Sequence, residues 1–318
     1  MSNENSPASS LYFKVAPGVW GMKDMIVNYY FIQNSDKSWV LVDTGLSTSA
    51  PKIKKVAAKL FGENTKPTCI VLTHGHFDHV GSVDKLADEW HVPVYAHYLE
   101  LPYLTGHASY PPPDPTVGGG MMSALAFLYP NEPIDISNHL LALEDNDKIP
   151  GLPDWTFIHT PGHAPGHISL YRKSDGVLIA GDAFVTTQQE SLLSVILQSK
   201  QISGPPKYFT YDWEQAEISI NTLVNLQPKI AATGHGRPIS EPELREGLEL
   251  LLKRFQQVAI PEQGRYVDDP AVADASGFIY VPSGRKSRAG WAWIAAGAAL
   301  GLSGALYFMY ARHKRSLA

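Results

Sequence analysis

Four metal-binding side chains fall within six positions of the sequence, in the stretch Thr73-His74-Gly75-His76-Phe77-Asp78-His79. The apolar residues 69–72 before it are typical of a strand, and residues 81–90 after it have helical spacing. A turn between a strand and a helix is exposed and rigidly supported, so imidazoles and a carboxylate there can converge on one point. Such donors suit Zn²⁺, and also Fe or Mn. The stretch therefore predicts a metal site.

Further ligands are needed, because one turn cannot surround a metal ion. Three candidates each stand beside glycine at the end of an apolar run: His163, Asp182 and His235. Added to the first four donors, they exceed what one zinc ion takes, which predicts two metal ions with a carboxylate available to bridge them.

Three other residues near strand ends are weaker candidates for a role at the metal site. His159 and His167 flank His163, but we expect neither to be a direct ligand, because His159 belongs to a strand and His167 opens the next one. Asp43 precedes Thr-Gly, where a carboxylate often caps a turn; a role in orienting a metal ligand is an equally good interpretation.

Strand and helix patterns alternate along the body, which favours an α/β fold. The predicted strands are residues 25–32, 39–42, 69–73, 92–96, 155–159, 168–171, 177–180 and 229–233, and the predicted helices are residues 50–60, 81–90, 213–226 and 241–259. Residues 104–131 contain proline and glycine runs, and we interpret them as an irregular insertion that covers the substrate.

Composition narrows the class of protein. The chain has 318 residues, of which 44% are hydrophobic and 18% are charged. This composition is typical of a folded protein. The single cysteine, Cys69, excludes a disulfide framework, a cysteine-based zinc ribbon and an iron–sulfur cluster. Six of the 26 basic residues lie beyond Gly284, so the first 284 residues carry 20 basic and 31 acidic side chains. An acidic surface repels the phosphate groups of nucleic acids. We therefore expect no nucleic-acid partner.

The C-terminal end differs from the body. Residues 290–310 contain no charged side chain, and at about 1.5 Å per residue a helix there would span the ~30 Å hydrocarbon layer of a bilayer. Tryptophans stand at one end, tyrosines at the other, and basic residues flank both. We predict one transmembrane helix. Gly297 and Gly301 have a spacing that would pair two such helices into a homodimer, although chance explains it at least as well.

These features predict a domain organisation and a location. A polar segment with the first strand covers residues 1–18, the main domain covers 19–260 and a closing segment with linker covers 261–289. The membrane helix at 290–310 and a basic tail at 311–318 follow. Residues 1–10 lack the basic and apolar regions of a secretory signal. We therefore expect a single-pass C-terminal membrane anchor with the main domain in the cytoplasm.

The donor pattern resembles the metallo-β-lactamase superfamily over about residues 19–259. The H-x-H-x-D-H signature of that family matches residues 74–79, and its later His, Asp and His match the candidates at 163, 182 and 235 in the same chain order. The resemblance implies an αβ/βα four-layer sandwich with two mixed sheets face to face, helices outside and the site at one edge.

The same resemblance implies how the metals are shared. One metal ion would be held by His74, His76 and His163. The second would be held by Asp78, His79 and His235. Asp182 would bridge the two.

The resemblance also implies a hydrolase. Di-iron members of the family have Glu where this chain has His76, which favours two zinc ions. True β-lactamases of this fold are exported and lack the bridging carboxylate that Asp182 supplies here. The remaining group is the glyoxalase II-like thioesterases and lactonase-like hydrolases. In these, a metal-bound hydroxide attacks the carbonyl of a small ester, thioester or lactone, and Asp78 would orient this nucleophile.

The sequence does not single out the residues that contact the substrate. Aromatic residues ordinarily lie at the surface or pack, but five side chains in or near irregular segments are candidates for touching the substrate or the developing oxyanion. These are Tyr103, His107, Tyr110, Tyr208 and Tyr211.

Two alternative functions share these features. A mononuclear iron sulfur-dioxygenase of the same fold would hold one iron and consume oxygen. A non-catalytic, membrane-tethered metal-binding scaffold would bind metal without turnover, although the complete donor set argues against it.

Overall fold

Two β-sheets form the centre of the protein. The computed structural model describes residues 11–145, 148–197 and 199–284. The described strands are β1 (Phe13–Ala16), β2 (Val19–Asp24), β3 (Val27–Gln33), β4 (Trp39–Val42), β5 (Ile70–Val71), β6 (Val94–His97), β7 (Leu140–Leu143), β8 (Thr156–His159), β9 (Ile168–Arg172), β10 (Val177–Gly181), β11 (Ile230–Thr233), β12 (Ile239–Ser240), β13 (Val272–Asp274) and β14 (Gly277–Tyr280). The described α-helices are α1 (Ala50–Phe61), α2 (Phe77–Val80), α3 (Val83–Trp90), α4 (Leu101–Leu104), α5 (Met121–Ala124), α6 (Leu192–Leu197), α7 (Trp213–Asn225), α8 (Glu243–Lys253) and α9 (Phe255–Val258).

Each half of the chain builds its own sheet. Strands β1 to β7 form the first sheet in chain order, antiparallel up to β4 and parallel from β4 to β7. The second sheet has the order β12-β11-β10-β9-β8, in which only β10 and β11 are parallel. Strands β13 and β14 form a separate hairpin. Parallel neighbours end at the same edge, so the loops that follow them lie close together.

The two sheets pack face to face. Strand β3 shows the alternation that this requires: Tyr30 and Ile32 lie in the core between the sheets, whereas Tyr29 and Phe31 lie in the core on the opposite face. Leu170 of β9 enters the same core from the second sheet. Both faces of β3 are therefore buried, which is why its sequence is a nearly continuous apolar run.

Helices cover the two outer faces. Ile53 of α1 and Leu86 of α3 pack in the core outside the first sheet, whereas Ile220 of α7 and Leu248 of α8 pack in the core outside the second. These positions recur at helical spacing in the sequence, as expected for helices with one apolar face. The layers follow the order α, β, β, α, and the predicted α/β sandwich is confirmed.

The structure adds detail that local patterns did not predict. The eight predicted strands are present with their ends displaced by at most two residues, but strands β2, β7 and β12 and the hairpin β13–β14 are additional. The helix predicted at 241–259 is divided at Arg254, whose φ of −117° and ψ of 20° are not helical. The insertion at 104–131 contains α5 and two short 3₁₀ helices, and it contributes Tyr110, Val117 and Met122 to an apolar cluster.

The predicted C-terminal transmembrane helix requires a correction. No helix in the described part of the chain is long and apolar enough to cross a membrane. Helix α7, with 13 residues, reaches only about 20 Å. Residues 290–310 and 311–318 lie outside the described residues. The α/β sandwich is the fold of the described residues, and the single-pass anchor and the cytoplasmic location deduced from it are not supported.

Candidate metal centre

The seven predicted donors come together from four loops at the carboxyl ends of strands. Four follow β5, and one each follows β8, β10 and β11. All of them are buried. They are His74, His76, Asp78, His79, His163, Asp182 and His235.

Three overlapping groups of donor atoms form, and within each group the atoms lie within 4.8 Å of one another. The first group is His74, His76 and His163, and the second is Asp78, His79 and His235. His74, His79 and Asp182 form a third group that joins the other two.

Asp182 lies between the first and second groups. Its Oδ2 is 3.5 Å from His163 Nε2 in the first group. The same oxygen is 3.0 Å from His235 Nε2 and 3.6 Å from His79 Nε2 in the second group. Gly234 permits this close approach, because a Cβ at that position would lie 2.0 Å from Asp182 Oδ1.

Hydrogen bonds on the outer side fix which imidazole nitrogen faces inward. His79 Nδ1 donates to Asp43 Oδ2 at 2.8 Å, and His235 Nδ1 donates to the Ile26 carbonyl at 2.6 Å. The Nε2 atom of each ring therefore points toward Asp182, and it offers a lone pair there when the ring is neutral. An outer partner of this kind is typical of histidines that bind metals.

Asp43 supports two of the imidazoles. Besides His79, it accepts from the backbone N and the hydroxyl of Thr73, each at 2.8 Å. Since the Thr73 hydroxyl gives its proton to Asp43, it accepts from His74 Nδ1 at 3.0 Å. Asp43 has a φ of 60°, a left-handed conformation that costs a non-glycine residue energy and that is often retained at functional sites.

The inner side of the cluster lacks hydrogen-bond partners. Nε2 of His74, Nε2 of His79 and Oδ1 of Asp182 are buried without a partner among the described residues. His76 Nδ1 and His163 Nε2 face each other at 2.9 Å. Each unpaired buried polar atom costs about 1–3 kcal/mol, so a cluster of them indicates a binding site for a group that would supply partners. Neutral imidazoles and carboxylates are donors for divalent metal ions, and the site fits such ions.

Burial and neighbouring charges set the ionisation of the donors. Burial lowers the pKa of His74 and His76 well below the ordinary histidine value and lowers the pKa of His163 to about 3. These three rings are neutral at pH 7, which is the form that binds a metal. Burial alone would raise the pKa of Asp182, but the positive charges that His235 and His79 carry when protonated hold it well below its usual value. The neighbouring carboxylates in turn raise the pKa of both imidazoles, against the lowering effect of burial.

A narrow cavity of about 10 Å³ adjoins the donors. Five of its eleven lining residues belong to the donor cluster, and no lysine or arginine of the described chain lines it. Besides donors of the cluster, the lining residues are Ile26, Phe77, Tyr129, Pro206, Tyr208 and Phe209.

His167 lies behind the donors. Its Nε2 accepts from the backbone N of Asp182 at 2.9 Å, and its Nδ1 donates to the Thr160 hydroxyl at 2.8 Å. Both ring nitrogens are therefore occupied by protein groups. His167 holds the loop that carries Asp182.

A further group of possible donors consists of His97, Asp145 and His159. The backbone N of Leu99 donates to His97 Nδ1 at 3.4 Å, so His97 Nε2 carries the proton and donates to Asp145 at 3.1 Å. The two imidazole rings stack with centroids 4.2 Å apart and planes at 17°, and their lone pairs do not converge. We interpret this group as a hydrogen-bonded pair with a stacked neighbour.

The five candidate substrate residues occupy different positions. Tyr208 lines the cavity. Tyr103 and Tyr110 stack at 4.1 Å and are buried, and the Tyr211 hydroxyl lies 3.4 Å from His76 Nε2. His107 is exposed and hydrogen-bonded to Thr105. A substrate contact by any of them stays a prediction.

Glu100 is a site residue that the sequence did not indicate. It is completely buried and accepts hydrogen bonds from the loops on both sides of the donor cluster. Burial raises its pKa to about 7, against the lowering effect of these bonds. No local motif marks it, because its partners Gly75 and Gly166 are distant in sequence.

Comparisons with known proteins agree with this site. A sequence model of the metallo-beta-lactamase superfamily matches residues 22–235. The chain is 42% identical over 264 residues to the "Probable metallo-hydrolase YflN" of Bacillus subtilis, covering 81% of this chain and 100% of that protein. It is 27% identical over 213 residues to the "Probable metallo-hydrolase YybB" of the same organism, covering 67% and 82%.

A solved structure shares the fold. The metallo-beta-lactamase family protein TTHA1429 from Thermus thermophilus has a TM-score of 0.51 and 23% identity, covering 76% of this chain and 81% of that one. The resemblance seen in the donor pattern is thus confirmed. The chain belongs to the metallo-beta-lactamase superfamily and is one of its metallo-hydrolases.

Proposed function

We propose that this metallo-hydrolase uses two divalent cations, with zinc as the preferred metal, to cleave uncharged esters, thioesters or lactones of small molecules. The observation that carries the proposal is the set of inward-facing donor atoms without partners on both sides of Asp182. A cluster with one group of donors would need one cation. Two groups that share a carboxylate favour two.

The distances between donor atoms suggest which residues would hold each cation. His74, His76 and His163 would hold the first cation. Asp78, His79 and His235 would hold the second, and Asp182 would contact both.

When bound, such cations act as Lewis acids toward a carbonyl oxygen and lower the pKa of water. The carboxylate of Asp78 lies in the cavity wall, with its Oδ2 3.6 Å from His235 Nε2. An ionised carboxylate there accepts a proton from the attacking water and orients its oxygen toward the substrate. Asp43 supports this arrangement by holding His79 in one tautomer.

The part of the cavity wall outside the donors favours a substrate whose acyl group carries no charge. Its lining residues there are aromatic and aliphatic side chains, which offer contact to an acyl group or a lactone ring. Next to the donors, the two cations would outweigh the charges of Asp78 and Asp182. A carboxylate on the acyl group, away from the cations, would have no lysine or arginine from the described residues in the wall to balance it. This disfavours thioesters whose acyl group carries a carboxylate.

The test combines metal content with matched substrates on the full-length protein. We expect about two zinc ions per chain and faster hydrolysis of a neutral ester or lactone than of an analogue of the same length that carries a carboxylate. Faster turnover of the anionic analogue would contradict the substrate class. One bound iron together with oxygen consumption would indicate a sulfur-dioxygenase. Two bound metal ions without turnover of any ester, thioester or lactone would contradict the proposed hydrolase activity.

A further inference from the structure

Glu100 connects the two halves of the donor cluster. It ends a 3₁₀ helix, Tyr98–Glu100, that directly follows β6. Its Oε1 accepts from the backbone N of Gly166 at 2.7 Å, and its Oε2 accepts from the backbone N of Gly75 at 2.8 Å. The Tyr110 hydroxyl also donates to Oε2.

The two loops that Glu100 binds belong to different sheets. Gly75 lies between His74 and His76, in the turn after β5 of the first sheet. Gly166 lies in the loop of His163, between β8 and β9 of the second sheet. The separation of these imidazoles therefore depends on how one loop is held against the other.

Both loops approach Glu100 so closely that glycine is required. A Cβ on Gly166 would lie 2.8 Å from Glu100 Cγ and 2.9 Å from Glu100 N. A Cβ on Gly75 would lie 2.9 Å from the Tyr110 hydroxyl and 3.2 Å from Glu100 Oε2. The bonds from Glu100 to the two loops are therefore direct, without a bridging group.

Glu100 does not face the reacting groups. Its relative exposure is 0%, and it is not among the described residues that line the cavity. We propose that Glu100 is a positioning residue that fixes the separation of His76 and His163 by binding the backbone of both donor loops. The proposal rests on the proposed function, since it takes these histidines as ligands of one metal ion.

Only a carboxylate serves all these donors at once. Its two oxygens accept from two N–H groups and one O–H group, and a carboxylate has no proton that would oppose them. In Glu100→Gln the amide offers one acceptor oxygen, so one loop would face an N–H group whichever way the amide turns. Glu100→Asp keeps both oxygens but is one methylene too short to reach both loops.

The experiment measures metal affinity rather than activity alone. We compare full-length wild type, Glu100→Gln and Glu100→Asp by competition of Zn²⁺ with a chelator, and by the visible absorption of bound Co²⁺. We expect Glu100→Gln to weaken the affinity about 10–100-fold and to shift the Co²⁺ bands, as losses of supporting partners usually do. Glu100→Asp covers the case in which the amide variant fails to fold, and it should weaken the affinity in the same range.

Asp114→Asn is the matched control. Asp114 is also a buried carboxylate that bridges two segments, because it accepts from Thr116 N at 2.9 Å and from Arg265 N, but it touches neither donor loop. Both asparagine and glutamine variants should lower the melting temperature. Only Glu100→Gln should change the metal affinity and the Co²⁺ spectrum.

The outcomes separate this proposal from the proposed function. Wild-type affinity and spectrum in folded Glu100→Gln, in a protein that still hydrolyses its substrates, would overturn the positioning role alone. An equal loss of affinity in Asp114→Asn would also overturn it, since general destabilisation would explain both. If wild type binds two cations and Glu100→Gln loses affinity, but no substrate is turned over, the positioning role stands and the hydrolase fails.

Discussion

The two sheets contribute to the donor cluster in different ways. The first sheet provides four donors in one turn, directly after β5. The second sheet provides one donor from each of three loops, after β8, β10 and β11. The donors of the first-sheet turn are neighbours in sequence and share one short segment, whereas each second-sheet loop carries a single donor. Contacts between distant parts of the chain hold these loops against the turn, among them the hydrogen bonds of Glu100. Donors from the second sheet should therefore be the ones that no neighbour can replace.

The largest effect is expected at Asp182, the second-sheet donor that contacts both groups. We expect Asp182→Ala to remove both cations and to lower kcat/KM about 10⁴-fold, equivalent to about 5 kcal/mol of transition-state stabilisation. Elemental analysis, kinetics and circular dichroism would check this, since the fold should remain. Turnover at the wild-type level would contradict a shared carboxylate.

A second comparison lies within one loop of the second sheet. His163→Ala removes an inward-facing donor, so we expect the affinity of one cation to fall by more than the 10–100-fold that loss of a supporting partner costs. His167→Ala removes only the group behind Asp182 and should stay within that range. Chelator competition would measure both, and the opposite order would mean that His167 is the ligand.

The close approach at Gly234 tests how far the second-sheet donors can move. In Gly234→Ala the new methyl group would collide with Asp182 Oδ1 and lie 2.8 Å from His79 Cε1. A displacement of about 1 Å can cost about 10²-fold in rate, which is the loss we expect.

Gly62→Ala is the control for this substitution. It meets no atom within 4 Å and has a φ of 103°, so it should lower stability without changing metal content. Similar losses of metal in both variants would argue against a specific contact at Gly234.

The smallest effect concerns the rigid base of the first-sheet turn. Burial raises the pKa of Cys69 to about 12, and its thiol donates to the Pro150 carbonyl at 3.1 Å. At pH 8 the thiolate fraction is then about 10⁻⁴, against about a quarter for a free thiol. We expect a thiol reagent to modify Cys69 only after unfolding in urea, with activity unchanged before that. Rapid labelling of the active protein would show that the base of the turn opens.

Because the pKa of Cys69 is raised in the folded state, the free energy of unfolding should fall as the pH rises above about 8.5.

The contrast between the sheets also explains what the sequence could predict. The turn at residues 73–79 was visible because its donors are adjacent, and His163, Asp182 and His235 were visible because each follows an apolar run. Glu100 was not, because its partners lie 25 and 66 positions away and a buried glutamate has no local pattern. Strand β7 was missed because its sequence, Leu-Leu-Ala-Leu, contains no β-branched or aromatic residue. Strand β12 was missed because its two residues lie between Pro238 and Pro242.

Ile26 illustrates how the cavity and the donors can vary separately. Its side chain forms part of the cavity wall, while its carbonyl oxygen holds His235 from behind. A backbone carbonyl is present whatever the side chain at that position. Evolutionary drift at residue 26 can therefore reshape the space offered to an acyl group while the orientation of that imidazole is inherited unchanged, which lets substrate preference diverge without rebuilding the chemistry.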